Sequence, residues 1–193
     1  MEWSDQAAAE EACKGNQYAF RVLVERHSRA VFRLAYRMTG NEHDAEDLVQ
    51  ETFMRAWKQL HKFDGRAAFG SWLYRIAANC SLDLLRSRRS RKEQQPAAGD
   101  DQTNPSWLET VASEGPSPER LTQSSEIAAL LPAALDELSA SERAAFILRH
   151  YEGCNIEEIA KALGTGTGAA KHSVFRAVQK IRRSLEPAWG VTR

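Results

Sequence analysis

The 193-residue chain holds only three cysteines, five histidines and six prolines, and its charges sum to zero. Cys13, Cys80 and Cys154 are odd in number and far apart, with no C-x-x-C, so they support neither a disulfide framework nor a zinc knuckle. His150 and Cys154 stand four apart, but Gly153 intervenes and no second ligand pair follows, so no metal is expected. No apolar run approaches the roughly 18 residues of a membrane span, and no secretory leader is recognisable. A soluble, cytoplasmic protein without membrane insertion is the expectation. Alternating strand patterns are missing as well. So is any nucleophile–base pair or carboxylate pair in a predictable cleft, which argues against an enzyme and against a cofactor.

What the chain does have is charge sorted into blocks. Residues 1–60 carry 8 Lys/Arg against 10 Asp/Glu, and residues 61–94 carry 8 against 3. Residues 95–142 carry 1 against 9, and residues 143–193 carry 9 against 4. Two basic blocks held apart by an acidic one suit two contacts with a polyanion.

The periodicity is helical almost throughout, giving an all-α fold of two small helical domains. Residues 17–39 read as one helix, with Phe20, Leu23, Val24, Val31, Leu34, Ala35 and Met38 apolar and Gly40 as its stop. Asn41 and Asp44 offer the N-cap of a second helix. There Ala45, Leu48, Val49, Thr52, Phe53, Ala56 and Trp57 form an inward stripe, while Asp44, Asp47, Gln50, Glu51 and Met54 lie opposite. After a loop at 61–68, a third helix turns Phe69, Trp72, Leu73, Ile76, Ala77, Cys80 and Leu84 inward. Its outer face shows Ser71, Arg75, Asn79, Leu82 and Arg86, and an Arg-rich tail follows.

This N-terminal helical bundle is expected to end near residue 93. Residues 94–118 hold four of the six prolines, no Lys or Arg and four acids, which marks an acidic linker, with Trp107-Leu108 an oddity within it. The second domain, 119–193, opens with a helix from near Pro118 to about Leu138. Ser139-x-x-Glu142 and Asn155-x-x-Glu158 are capping boxes for the next two helices. A glycine-bearing turn at 164–168 leads to a last helix with Val174, Val178, Ile181 and Leu185 inward, and Thr165 and Thr167 offer it capping hydroxyls.

Helix, short turn, helix over 156–185 is the spacing of a helix-turn-helix. Its second helix carries Lys171, His172, Arg176, Lys180, Arg182 and Arg183, with no acid between 168 and 185, which suits duplex DNA. Phe175, in the same helix, also reads as a domain-packing side chain. Gly164-x-Gly166-x-x-Ala169 mimics a dinucleotide fingerprint, but a helix precedes it where a strand is required. The first basic block interleaves Phe63, Arg66, Trp72, Tyr74 and Arg75, a mixture suited to unstacked bases, although Trp72 reads better as core.

At this point the residues resemble a bacterial RNA polymerase sigma factor of the extracytoplasmic-function (ECF) group. DAEDLVQETFMRAW, FDGRAAFGSWLYRIAANCSLDLLR and the Arg-rich tail are similar to the family's second conserved region. LPAALDELSASERAAFILRHYEG through EEIAKALGTGTGAAKHSVFRAVQKIRRSL is similar to the fourth. The resemblance implies an alternative, stress-response type of initiation factor that binds core RNA polymerase and directs it to promoters. By it, Asp47, Gln50 and Glu51 meet the clamp coiled coil of the polymerase, and the fourth-region domain meets the flap. Phe63, Arg66, Arg75, Asn79 and Arg86 recognise and melt the −10 element of promoter DNA. Lys171, His172, Phe175, Arg176 and Lys180 enter the −35 element, and an anti-sigma factor is an expected inhibitor. One departure concerns the start of the recognition helix, where the family often has Gly-Thr-Val-Lys and this chain has Gly168-Ala169-Ala170-Lys171. The alternative is a stand-alone helix-turn-helix regulator that is not a polymerase subunit and reads symmetric half-sites.

Overall fold

Asn16 stops the chain from entering a helix too early. Its side chain accepts from the amides of Tyr18 and Ala19, satisfying two donors that the first helical turn leaves free. Helix α2 then runs over Gln17–Thr39 without a glycine or proline, until Gly40 takes the left-handed conformation (φ 69°) and donates to the Tyr36 carbonyl. A side-chain Cβ would strain that turn, which is why the helix stops there. Asn41 accepts from the Asp44 amide to start α3, Glu42–Gln59. A 3-10 turn, Leu60–Lys62, and the loop to residue 68 lead into α4, Phe69–Gln94. A short helix precedes all of these. In α1, Asp5–Cys13, Ser4 caps the first turn, and Ala8, Ala9 and Ala12 are buried.

The computed structural model describes residues 3–94 and 130–189, and no strand occurs among the described residues. Apart from Gln94, the expected linker at 94–118 lies outside them, as do Trp107-Leu108 and the start of the helix expected from Pro118. Residues 130–136 of that helix are described and are labelled α5. Both expected capping boxes are present. Ser139 and Glu142 open α6, Ala140–His150, and Asn155 and Glu158 open α7, Ile156–Leu163. Gly164 (φ 64°) closes α7, with the Thr165 amide reaching back to the Ala160 carbonyl, and α8 spans Thr167–Trp189.

Helices α1, α3 and α4 pack around α2, while α6, α7 and α8 pack on one another. Leu23, Leu34, Met38 and Leu73 are fully buried in the first bundle, each contributing about 2 kcal/mol relative to exposure. A smaller cluster of Ala134, Leu135, Leu138, Ala177, Ile181 and Leu185 ties α5 to α8.

The two bundles also pack on each other. Helix α4 contacts α6 and α7 as well as α2 and α3, and the main apolar cluster runs continuously from Leu23 to Leu163. This explains one difference from the sequence expectation. Leu82, placed on the outer face of α4, is only 1 % exposed, because α4 is enclosed from two sides. Two further differences concern residues expected inward. Val174 and Val178 are half-buried, and Trp57 is 39 % exposed, its ring lying edge-on to Phe20 at 4.8 Å.

Candidate nucleic-acid and protein interfaces

Three surfaces stand out, and one of them is not basic. On α3 the inward stripe leaves Asp47, Gln50, Glu51, Met54 and Trp57 on the accessible side. Asp47 and Gln50 are exposed. Glu51 is half-buried and ion-paired with Arg55 at 2.6 Å, and Arg55 reaches on to Asp83 of α4 at 3.1 Å. Beside these polar groups, Gln17, Phe20, Gln50, Phe53, Met54 and Trp57 line an open groove between α2 and α3. Met54 is 52 % exposed. Apolar side chains left in water beside carboxylates are what a protein partner covers. The sequence stripe placed Asp47, Gln50 and Glu51 on this side, but it also placed Asp44 there, which is buried and paired with Arg88, and it assigned Trp57 to the core. A tryptophan at the edge of a helical stripe serves either side, and only the Phe20 ring beside it decides.

The second surface joins the 61–68 loop to α4. Phe63 is half-buried, and its ring centroid lies 5.5 Å from those of Phe69 and Trp72, so it both supports the loop and belongs to it. The Arg66 amide donates to Asp64 Oδ1, and its guanidinium is exposed 3.5 Å from Asp64 Oδ2. Asn79 and Arg86 are exposed on α4, whereas Arg75 is half-buried. Further along, Arg88 pairs with Asp44, so one member of the Arg-rich tail already has an intramolecular partner.

The third surface is the start of α8. Lys171, His172 and Arg176 are exposed, and Phe175 between them is 60 % exposed. Phe175 is therefore not packed within its own domain. Lys180 differs: its Nζ donates to Glu142 Oε2 at 2.7 Å, linking α8 to the capping box of α6. Burial would raise the Glu142 carboxyl, but bonds from Lys180 and Ser139 outweigh it and hold the group below the ordinary glutamate range. The Gly-Ala-Ala-Lys start also resolves into two roles. Ala170 is fully buried, whereas Ala169 is exposed beside Lys171.

Among the described residues no cluster of His, Cys, Asp and Glu could hold a metal ion, and no helix is long and apolar enough to cross a membrane.

The Sigma-70 region 2 family matches residues 23–91, and the Sigma-70 region 4 family matches residues 128–181. The chain is 40 % identical to the ECF RNA polymerase sigma factor SigE of Mycolicibacterium smegmatis, over 84 % of this chain and 60 % of that protein. It is 35 % identical to the RNA polymerase sigma factor NccH of Alcaligenes xylosoxydans xylosoxydans, over 94 % of this chain and 95 % of NccH. Among solved structures, the sigma factor RpoE from Bartonella quintana, in complex with the anti-sigma factor NepR, superposes with a TM-score of 0.65. That match is at 25 % identity and covers 86 % of this chain and 96 % of that one. The chain therefore belongs to the family of ECF RNA polymerase sigma factors.

Proposed function

We propose that the chain joins core RNA polymerase in the bacterial cytoplasm, without chemistry of its own, and directs it to promoters through two DNA-reading surfaces. Asp47, Gln50 and Glu51, with Met54 and Trp57, dock on the clamp coiled coil of the polymerase. The flap receives the second unit. Phe63, Arg66, Arg75, Asn79 and Arg86 read and open the −10 element. Lys171, His172, Phe175 and Arg176 enter the major groove of the −35 element, with Lys180 acting as a brace behind them. Residues 1–93 and 119–193 are the working units, joined by the acidic segment 94–118. Because a solved relative is bound to an anti-sigma factor, an inhibitor of that kind is proposed here too.

The observation that carries this reading is the face of α3. Its carboxylates adjoin an apolar groove, and neither feature suits DNA, while α4 and α8 present cations. A chain that binds only nucleic acid has no use for such a face. The test is Asp47→Lys in the full-length chain. Affinity for core polymerase should fall while the melting temperature holds, and unchanged affinity would overturn the docking assignment.

A further inference from the structure

The sequence pattern gave no role to α1, yet α1 touches the 61–68 loop from both ends. At the loop's entry, Cys13 Sγ donates to the Leu60 carbonyl at 3.4 Å, the same oxygen that accepts from the Phe63 amide. At its middle, Gly65 takes φ 71°, and a Cβ built there would stand 3.4 Å from Gln6 Nε2. The Gln6 side chain therefore lies against the turn, steadied by its bond to Glu10.

A third link runs through the core. Asp5 Oδ2 lies 2.7 Å from His27 Nε2, and Asp5 Oδ1 accepts from Arg26 at 3.0 Å. The His27 ring packs on Phe69 at 5.4 Å, and Phe69 meets Phe63 edge-on at 5.5 Å. Gly70 lies beside the same ring, where a Cβ would be in ordinary contact with His27 Cε1 at 3.5 Å. Asp5 thus fixes the imidazole, the imidazole supports Phe69, and Phe69 sets the ring of Phe63 within the loop.

We infer that α1 is a brace for promoter reading: Asp5, Gln6 and Cys13 are positioning residues that hold the 61–68 loop in its −10-reading shape. The physical reason is preorganisation. A loop that must select bases loses discrimination if it has to be ordered at the moment of contact. The loop's own order comes from the 3-10 turn at its entry and the Asp64–Arg66 turn, and the contacts from α1 add to it from outside. Asp5 suits the task electrostatically. Burial works against its ionised form, but Arg26 and His27 outweigh it and keep the carboxylate charged.

This inference rests on the loop facing the −10 element, and the experiment separates the two. Holoenzyme is assembled from core polymerase and either the full wild-type chain or one of three variants, Asp5→Ala, Gln6→Ala and Arg66→Ala. Each selects open complexes from a duplex library randomised at the −10 positions with a constant −35 element. In Asp5→Ala and Gln6→Ala the preference for the best −10 bases should flatten about fivefold, the size of one lost hydrogen bond. Affinity for core polymerase should not change, and Asp5→Glu should restore the preference. A purely structural α1 would lower stability without touching base preference. If Arg66→Ala flattens the profile while the α1 variants keep it, the brace is wrong and the loop assignment stands. If Arg66→Ala and the α1 variants all keep it, both fall. A second measurement needs no promoter. Amide exchange at 63–68 in the full chain should quicken about tenfold in Asp5→Ala while 156–185 stays protected. Unchanged exchange at 63–68 overturns the brace directly.

Discussion

Arg143 Nη1 donates at 2.8 Å to the carbonyl of Met38, in the last turn of α2, across 105 positions of sequence. That carbonyl belongs to a helix end, where the backbone leaves acceptors free and the dipole favours a cation. The same guanidinium also bonds the Leu135 carbonyl and Asp136, so one side chain from the second bundle closes the first. Beside it Arg37 stacks 4.0 Å from the centroid of the Tyr151 ring and lies 3.6 Å from Glu152. Burial raises the Glu152 carboxyl, with Arg37, Arg33 and Tyr74 opposing, and burial lowers Arg37. The two bundles are thus joined by polar groups that water would otherwise hold.

Elements centred near −10 and −35 lie roughly 85 Å apart, at about 3.4 Å per base pair. If the two units read both elements at once, as proposed, the Arg37–Glu152 contact has to open when the chain works. Arg37→Ala is expected to raise the population of separated bundles in the free chain, and resonance energy transfer between labels on α2 and α8 reads this. The double-mutant cycle with Glu152→Gln should give a coupling of about 1–2 kcal/mol. A coupling of zero means that the pair does not hold the bundles together.

Met54→Ala and Trp57→Ala are expected to weaken core polymerase binding by about 2 kcal/mol each, as central apolar anchors do. Both side chains are substantially exposed, so the fold should lose less than about 1 kcal/mol. Titration of labelled core polymerase with each variant, alongside thermal melts, checks both halves.

The cations of α8 should separate by the salt dependence of holoenzyme binding to a −35 fragment. Lys171→Ala and Arg176→Ala are each expected to reduce the slope by about one, as the loss of one phosphate contact does. Lys180→Ala leaves the slope unchanged and destabilises the chain instead, since its ammonium serves Glu142.

Most of the architecture was legible in the sequence, because the information is local. Gly40, Asn41, Ser139, Asn155 and Gly164 each declare a helix end through one backbone need, and all of them act where the pattern places them, whereas the Asn16 cap was not singled out. What the sequence left hidden depends on a second element arriving. Trp57 could face in or out until Phe20 lay beside it. Leu82 looked solvent-facing because nothing in α4 announces that α6 and α7 pack on that helix as well as α2 and α3. Lys180 is one cation among several until the Glu142 carboxylate, 38 residues away, takes it. Helix α1 escaped for another reason, since its buried side is made of alanines, which leave a weak apolar stripe.

The Glu142–Lys180 link also carries a pH signature. The folded carboxyl sits below its ordinary value of 4.5, so the folded chain binds fewer protons than the unfolded chain at acid pH. Stability from this pair is therefore complete above that value and is lost as pH falls through the lowered one. Wild type and Glu142→Gln should differ in melting temperature near neutrality and converge as the solution is acidified below the ordinary glutamate range.

The central claim is that this chain acts as a polymerase subunit, and run-off transcription tests it most directly. The template carries a −10/−35 promoter selected by the reconstituted holoenzyme. Core polymerase plus the chain should give a discrete transcript that neither gives alone, and that transcript should be lost with Asp47→Lys. The account is contradicted if the chain shifts the promoter duplex tightly by itself and core polymerase adds neither affinity nor transcript.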